Sequence, residues 1–135
     1  MINIKDIIAI TTNAGNAIMN IYNQSDNKAM EIEYKDDNSP LTRADKESHD
    51  IISSSLKKLY PEIPILSEEG LIIPYSNRKS WEKFWLIDPV DGTKEFIKKN
   101  GEFTINIALI ENNTPTLGIV YAPVLKKYWY GSKRG

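Results

Sequence analysis

The sequence has 135 residues, 41% hydrophobic and 26% charged, which is typical of one globular domain large enough to bury a core. Its 17 basic and 18 acidic residues give a formal net charge of -1, which excludes an overall field that attracts nucleic-acid polymers. Cysteine is absent, so disulfide scaffolds and cysteine-ligated zinc are excluded. We find no signal-peptide pattern and no apolar run of about 18 residues, so we expect a soluble, cytoplasmic protein.

The first predicted elements are helical. Apolar residues recur at helical spacing over 4–22, which predicts an amphipathic helix. The alternating segment at 30–34 predicts a short strand. A second helix is predicted to start at Thr42, with Asp45 three residues later in a pattern close to a capping box, and to stop at Pro61.

The rest of the chain is predicted to be mainly strands, with one brief helical segment that starts at Thr93. The NNTP segment is predicted to form a hairpin turn between two of the strands. The order of helices and strands predicts an α+β fold, with two helices packed on one face of an antiparallel β-sheet. The predicted strands are 63–66, 84–87, 104–111, 116–123 and 127–131.

Acidic residues directly follow two of the predicted strands. Asp88 and Asp91 follow FWLI, where Pro89 keeps Asp88 extended and marks the strand end, and Glu68 and Glu69 follow PIL. If the two strands are neighbours, Glu68 lies near both aspartates. Two carboxylates about 4 Å apart repel by about 4 kcal/mol at an effective dielectric constant near 20, so such acids either stay apart in solvent or share a cation. Oxygen ligands without cysteine favour magnesium, manganese or calcium over zinc.

Backbone groups beside the aspartates indicate an anion site. Gly92 has no Cβ, so the backbone there can turn tightly or let a ligand approach closely, and the N–H groups of Gly92 and Thr93 would lie at the start of the predicted helix. Simpler interpretations stay open. DPVDG is a common turn, SEEG fits a solvated loop, and Asp45 fits a plain helix cap. An EF-hand is not supported, because the alternating acids of its loop are missing.

Two further residue groups are predicted to be structural. His49, the only histidine, is predicted to lie on the surface of the second helix. The aromatic residues are predicted to pack in the core or at a domain interface, and they are Trp81, Trp85, Tyr128, Trp129 and Tyr130.

Three motifs in order, NSPLTRAD, PILSEEG and WLIDPVDGTKEF, resemble those of the inositol monophosphatase superfamily of magnesium-dependent, lithium-sensitive phosphomonoesterases. The NSP segment and the run DGTKEFIKKNGEFTINIALIENNTPTLGIVYAPV are more similar to the CysQ-type 3'(2'),5'-bisphosphate nucleotidases of that superfamily. The resemblance covers essentially the whole chain. It implies that residues 1–135 form the N-terminal, metal-binding domain of the layered αβαβα sugar-phosphatase fold.

The resemblance also implies a ligand set for two or three Mg²⁺ ions. Glu68, Asp88 and the backbone carbonyl of Val90 resemble the ligands of a first ion. Asp88 and Asp91 resemble the ligands of a second ion, with Asp88 bridging the two.

Catalytic and substrate-binding roles are implied in the same way. Thr93 and Asp45 resemble the pair that orients the attacking water, with Glu68 near it, and Glu69 has a supporting role. Gly92 and Thr93 resemble the backbone cradle of the substrate phosphate. The implied substrate-binding residues are Glu68, Val90, Asp91, Gly92 and Thr93.

The implied reaction is hydrolysis of the 3'-phosphate of adenosine 3',5'-bisphosphate to AMP and phosphate, so the expected partner is a small nucleotide bisphosphate. Inositol monophosphatase-like activity, a catalytically silent remnant and, more remotely, a calcium-binding module remain alternatives. Members of the superfamily are about twice this length, and their second half supplies a WD-type motif with a further metal-binding aspartate. We therefore expect an N-terminal half without its C-terminal domain. A homodimer is a second expectation, and peripheral attachment to the inner face of a membrane is left open.

Overall fold

The computed structural model describes residues 2–23, 33–34, 40–70 and 73–133. Helix α1 spans Ile4–Tyr22 and helix α2 spans Arg43–Leu59, which confirms both predicted helices to within a residue or two. The two helices pack against each other. None of the described helices has the length and apolar character needed to cross a membrane.

A two-stranded ladder lies between the long helices in sequence. Strand β1, Glu33–Tyr34, pairs antiparallel with β2, Pro40–Leu41. The strand predicted at 30–34 is therefore confirmed at its last two positions, and its first three positions lie outside the described residues.

The main sheet has five strands whose spatial order follows the chain. Its last four strands form an antiparallel meander, whereas the first pairs parallel with the second. The α+β class is confirmed, and the sheet is mixed rather than wholly antiparallel. The parallel pairing is possible because residues 68–82, with helix α3 at Tyr75–Arg78, form a connection long enough to return the chain. The strands are β3 Ile65–Ser67, β4 Lys83–Asp91, β5 Thr104–Glu111, β6 Thr114–Ala122 and β7 Lys127–Ser132.

The predicted hairpin turn joins β5 and β6. Asn112 has φ 50° and Asn113 has φ 64°, so both central residues are left-handed. A two-residue turn of this kind matches the right-handed twist of the flanking strands, and asparagine tolerates it better than most residues.

One face of the sheet forms the core with the helices. Trp85 and Ile107 are buried there, and Gly15 lets α1 approach the sheet so closely that an added Cβ would clash with the Tyr121 ring. The opposite face is open in the described structure, where Trp129 is 53% exposed. Trp85 is therefore a core residue as predicted, while Trp129 is not buried within this chain.

Candidate active site

The parallel pairing of β3 with β4 positions the first acid. Ser67 pairs with Ile87, and the N–H of Glu68 donates to the carbonyl of Ile87 at 3.2 Å, so the ladder extends one residue past β3. Glu68 therefore emerges beside Asp88. The two strands are neighbours whose carboxyl ends lie together, as the sequence argument required.

An irregularity in β4 puts both aspartates on one face of the sheet. Asp88 pairs with Asn106 and Asp91 pairs with Thr104, so β4 carries one more residue than β5 between these two pairs. In a regular strand, residues three apart point to opposite faces. The extra residue is a β-bulge that reverses the alternation, and both aspartates then share the face of Asn106 and Thr104.

The bulge is attached to helix α2. Pro89 has no N–H to give to the ladder, and its carbonyl accepts a hydrogen bond from the buried Ser48 hydroxyl at 2.8 Å. The prediction that the strand ends at Asp88 is wrong, because β4 continues to Asp91. The proline lies at the bulge, where a missing donor is tolerated.

Asp45 links the start of α2 to the start of the short helix α4, which spans Thr93–Lys98. Its Oδ2 accepts from the backbone N–H of Thr42 at 2.9 Å and from the Thr42 hydroxyl at 2.7 Å. Its Oδ1 accepts from the Thr93 hydroxyl at 2.8 Å. Asp45 is buried, with 1% of its surface exposed. It is therefore both the N3 residue of the capping box formed with Thr42 and a direct partner of Thr93.

The backbone between the aspartates and α4 is shaped by Gly92. Its φ is 95°, a left-handed conformation, and an added Cβ would lie 3.0 Å from the carbonyl oxygen of Glu102. The helix predicted from Thr93 is confirmed, and its first N–H groups lack intrahelical partners by geometry. The Val90 carbonyl lies 3.3 Å from the Thr93 hydroxyl, so this oxygen is part of the same cluster of polar groups.

Asp88 is at the electrostatic centre of the acids. Burial and, in decreasing order, the negative charges of Asp91, Glu68, Asp45 and Glu69 together raise the pKa of Asp88 from 3.8 to about 7. All four acids therefore lie close enough to oppose ionisation of Asp88. In the described parts of the chain, no Lys or Arg forms an ion pair with Asp88.

These residues fit a hard divalent cation by donor chemistry. Carboxylates and a backbone carbonyl are oxygen ligands of the type that Mg²⁺ takes, and the charges of four neighbouring acids add to burial in raising the pKa of Asp88. The arrangement is not a closed cage, because the described residues contain no group of three His, Cys, Asp or Glu side chains already placed to hold a metal ion. The acids share a region without converging on one point.

His49 and Asn106 are parts of this region that sequence reasoning missed. His49 is half-buried, so it does lie partly at the surface as predicted, but its Nδ1 also lies 2.8 Å from the hydroxyl of Ser67, the residue before Glu68. Its position four residues after Asp45, on the same helix face, was the available signal. The Asn106 amide donates to Asp91 Oδ2 at 2.8 Å, and only the strand register could have indicated that contact.

Comparison with known proteins identifies the family. A model described as the inositol monophosphatase family matches residues 4–135. The chain belongs to the inositol monophosphatase family. A relative from Salmonella typhimurium, 3'(2'),5'-bisphosphate nucleotidase CysQ, is 49% identical over 130 residues, which cover 96% of this chain and 52% of the relative.

Solved structures of the inositol monophosphatase family share the fold. CysQ from Bacteroides thetaiotaomicron superimposes with a TM-score of 0.79 at 42% identity, over 95% of this chain and 45% of that one. A staphylococcal inositol monophosphatase-1, solved as a LiCl-soaked inhibitory complex, gives a TM-score of 0.82 at 26% identity, over 97% of this chain and 47% of that one. The chain spans about half the length of these relatives, so their whole-protein activities do not pass to it by similarity alone.

Proposed function

We propose that this chain carries the metal- and phosphate-binding site of a magnesium-dependent 3'(2'),5'-bisphosphate nucleotidase. The reaction is hydrolysis of the 3'-phosphate of adenosine 3',5'-bisphosphate to AMP and phosphate. The observation that carries the proposal is the Thr93–Asp45 hydrogen bond, which lies beside a partly buried group of acids where burial and the neighbouring charges raise the pKa of Asp88 to about 7. The identity of 49% to a bisphosphate nucleotidase, against 26% to an inositol monophosphatase, favours the nucleotide over inositol phosphate.

In this proposal Glu68, Asp88, Asp91 and the Val90 carbonyl hold two or three Mg²⁺ ions. When bound, such ions lower the pKa of a coordinated water and neutralise charge on the phosphoryl group. The chain's own contribution is to keep these oxygens in one region, through the β3–β4 register and the bulge. The repulsion around Asp88 favours occupation of the site, because a cation offsets it.

Thr93 and Asp45 are proposed to orient the attacking water. The Thr93 hydroxyl proton is directed at Asp45 Oδ1, so the lone pairs of Thr93 Oγ1 are available to accept a hydrogen bond from water. Asp45 cannot easily turn away, since its Oδ2 is fixed by two donors from Thr42. The proposed proton path has two steps, from the water to Thr93 Oγ1 and from the Thr93 hydroxyl to Asp45, and the buried carboxylate of Asp45 is the fixed acceptor at its end. Glu68 is proposed to lie on the other side of the same water, with Glu69 in support.

The substrate phosphate is proposed to bind at the start of α4. The N–H groups of Gly92 and Thr93 are donors of the kind that anions take at helix starts. Gly92 is suited to this role because it has no Cβ in its left-handed conformation. Phosphate oxygens there would lie next to Asp91, and cations held by the acids would offset the negative charge of both.

Phosphate release from adenosine 3',5'-bisphosphate by the purified chain, with and without Mg²⁺, tests the proposal. The matched control is Asp91→Asn, which keeps the shape of the side chain and removes its charge. Magnesium-dependent turnover of the chain above this control supports the assignment. Faster release from an inositol monophosphate would refute the substrate, and turnover no higher than that of Asp91→Asn would leave a catalytically silent metal-binding chain.

A further inference from the structure

A short chain of side-chain hydrogen bonds ends on Asp91. The Asn106 amide nitrogen donates to Asp91 Oδ2 at 2.8 Å. The Thr104 hydroxyl donates to the amide oxygen of Asn106 at 3.2 Å. The second bond sets the orientation of the amide, since it fixes the oxygen of Asn106 toward Thr104 and the nitrogen toward Asp91.

The strand register explains why these residues meet. Asn106 is the partner of Asp88 and Thr104 is the partner of Asp91, so all four side chains share one face of the sheet after the bulge. Farther along β5 on the same face, Ala108 is apolar. The face therefore changes from apolar to hydrogen-bonding side chains at the point where β5 passes the aspartates.

The neutral amide of Asn106 is a suitable hydrogen-bond donor for a carboxylate that binds a metal ion. Asp91 is exposed, and an exposed carboxylate with no bonded neighbour rotates freely. An ammonium or guanidinium group in place of the amide would also restrain Asp91, but it would neutralise the carboxylate and repel a cation. A neutral amide restrains the carboxylate and preserves its charge. Groups that hydrogen-bond ligating carboxylates orient them and raise metal affinity.

We infer that Asn106, backed by Thr104, is a positioning residue that holds Asp91 ready for a divalent cation. This inference rests on the proposed function, because it takes Asp91 to be a metal ligand. It adds a role for two strand residues that the acidic motifs do not contain, and it connects the metal site to the second strand of the meander.

Binding of Mn²⁺ to the purified chain, followed by the loss of the free-ion electron paramagnetic resonance signal, tests the inference without any enzyme assay. Asn106→Leu removes the donor at nearly constant size and is expected to weaken Mn²⁺ binding by about tenfold, the lower end of the range for groups that support metal ligands. Thr104→Val is expected to weaken it less, and Thr104→Ser, which keeps the hydroxyl, is expected to bind like wild type.

A double variant tests the order of the hydrogen-bond chain. Because Thr104 acts through the amide, Thr104→Val is expected to have no further effect in the Asn106→Leu background. Asn77→Leu, an exposed asparagine on α3, is the matched control and is expected to bind like wild type. Thermal unfolding in metal-free buffer checks that each variant is folded, and the conservative Thr104 pair decides the matter if Asn106→Leu is unfolded.

Three results separate failure of the inference from failure of the proposed function. If wild type binds Mn²⁺ and Asn106→Leu binds equally well, the positioning role is overturned and the metal site stands. If Thr104→Ser weakens binding as much as Thr104→Val, the hydroxyl does not orient the Asn106 amide, and the supporting role of Thr104 is overturned. If wild type itself binds no Mn²⁺, the metal site is refuted, and the inference falls with it.

Discussion

Replacing Asp88 with asparagine is expected to stabilise the metal-free protein at pH 8. Burial and four neighbouring acids raise the pKa of Asp88 to about 7 from 3.8, so the folded state resists ionisation of this carboxyl. Each tenfold difference in proton affinity between folded and unfolded states is worth about 1.4 kcal/mol, which gives an upper limit of about 4 kcal/mol for this group. Asp88 is only partly buried, and solvent screening reduces the expected gain to about 2 kcal/mol.

The pH dependence follows from the direction of the pKa change. A carboxyl whose pKa is higher in the folded state binds more protons there, so its contribution to stability is complete below pH 3.8 and is lost as pH rises through about 7. Asp88→Asn removes that loss. The variant and wild type are therefore expected to unfold at similar temperatures near pH 4, and the variant about 8 °C higher at pH 8, at about 4 °C per kcal/mol for a chain of this size.

Thermal unfolding in EDTA, followed by circular dichroism from pH 4 to 8, measures this difference directly. The matched control is Asp50→Asn, an exposed aspartate on α2 outside the acid group, for which no comparable pH-dependent gain is expected. A gain that is equally large at pH 4 and pH 8 would refute the electrostatic explanation. Lower stability of Asp88→Asn at pH 8 would refute the claim that the charged carboxylate is under repulsion.

Three other substitutions test the geometry around the acids. Gly92→Ala is expected to lower the free energy of unfolding by about 2 kcal/mol, because the left-handed φ penalises a Cβ that also approaches the Glu102 carbonyl; an unchanged urea midpoint would argue against this. Ser48→Ala is expected to cost about 1–2 kcal/mol, since the Pro89 carbonyl loses its buried donor, and denaturant titration against Ser54→Ala checks it. Thr93→Val is expected to lower phosphate release at least about 100-fold while Thr93→Ser retains it; equal rates for the two would remove the hydroxyl from the mechanism.

The elements of the fold were predictable because each depends on local pattern. Helical spacing marked α1, the Thr42–Asp45 pattern marked the start of α2, and paired asparagines marked the β5–β6 turn. The fold prediction of an antiparallel sheet missed the parallel pairing of β3, although the predicted approach of Glu68 to the aspartates required it, since strand direction depends on where the connection at 68–82 returns the chain. Local pattern carries no information about that path.

The acidic residues of the candidate site could be predicted from the sequence, but their spatial arrangement could not. Glu68, Asp88 and Asp91 were recognisable from their positions after apolar strands, and Asp45 from its cap. Their supports could not be found in this way. The contact of Ser48 with Pro89 and that of Asn106 with Asp91 join residues far apart in sequence, and both depend on register and bulge geometry.

The bulge at Pro89 shows how the fold and the proposed chemistry depend on each other. Without the extra residue, Asp91 would point to the face that packs against the helices, where a lone carboxylate is strongly unfavourable. With it, both aspartates share the open face, where burial and then the charge of Asp91 raise the pKa of Asp88. A bound cation would convert this repulsion into attraction. The bulge thus keeps the charge of Asp91 out of the core. It also places two aspartates side by side, and their repulsion destabilises the folded protein until a cation binds.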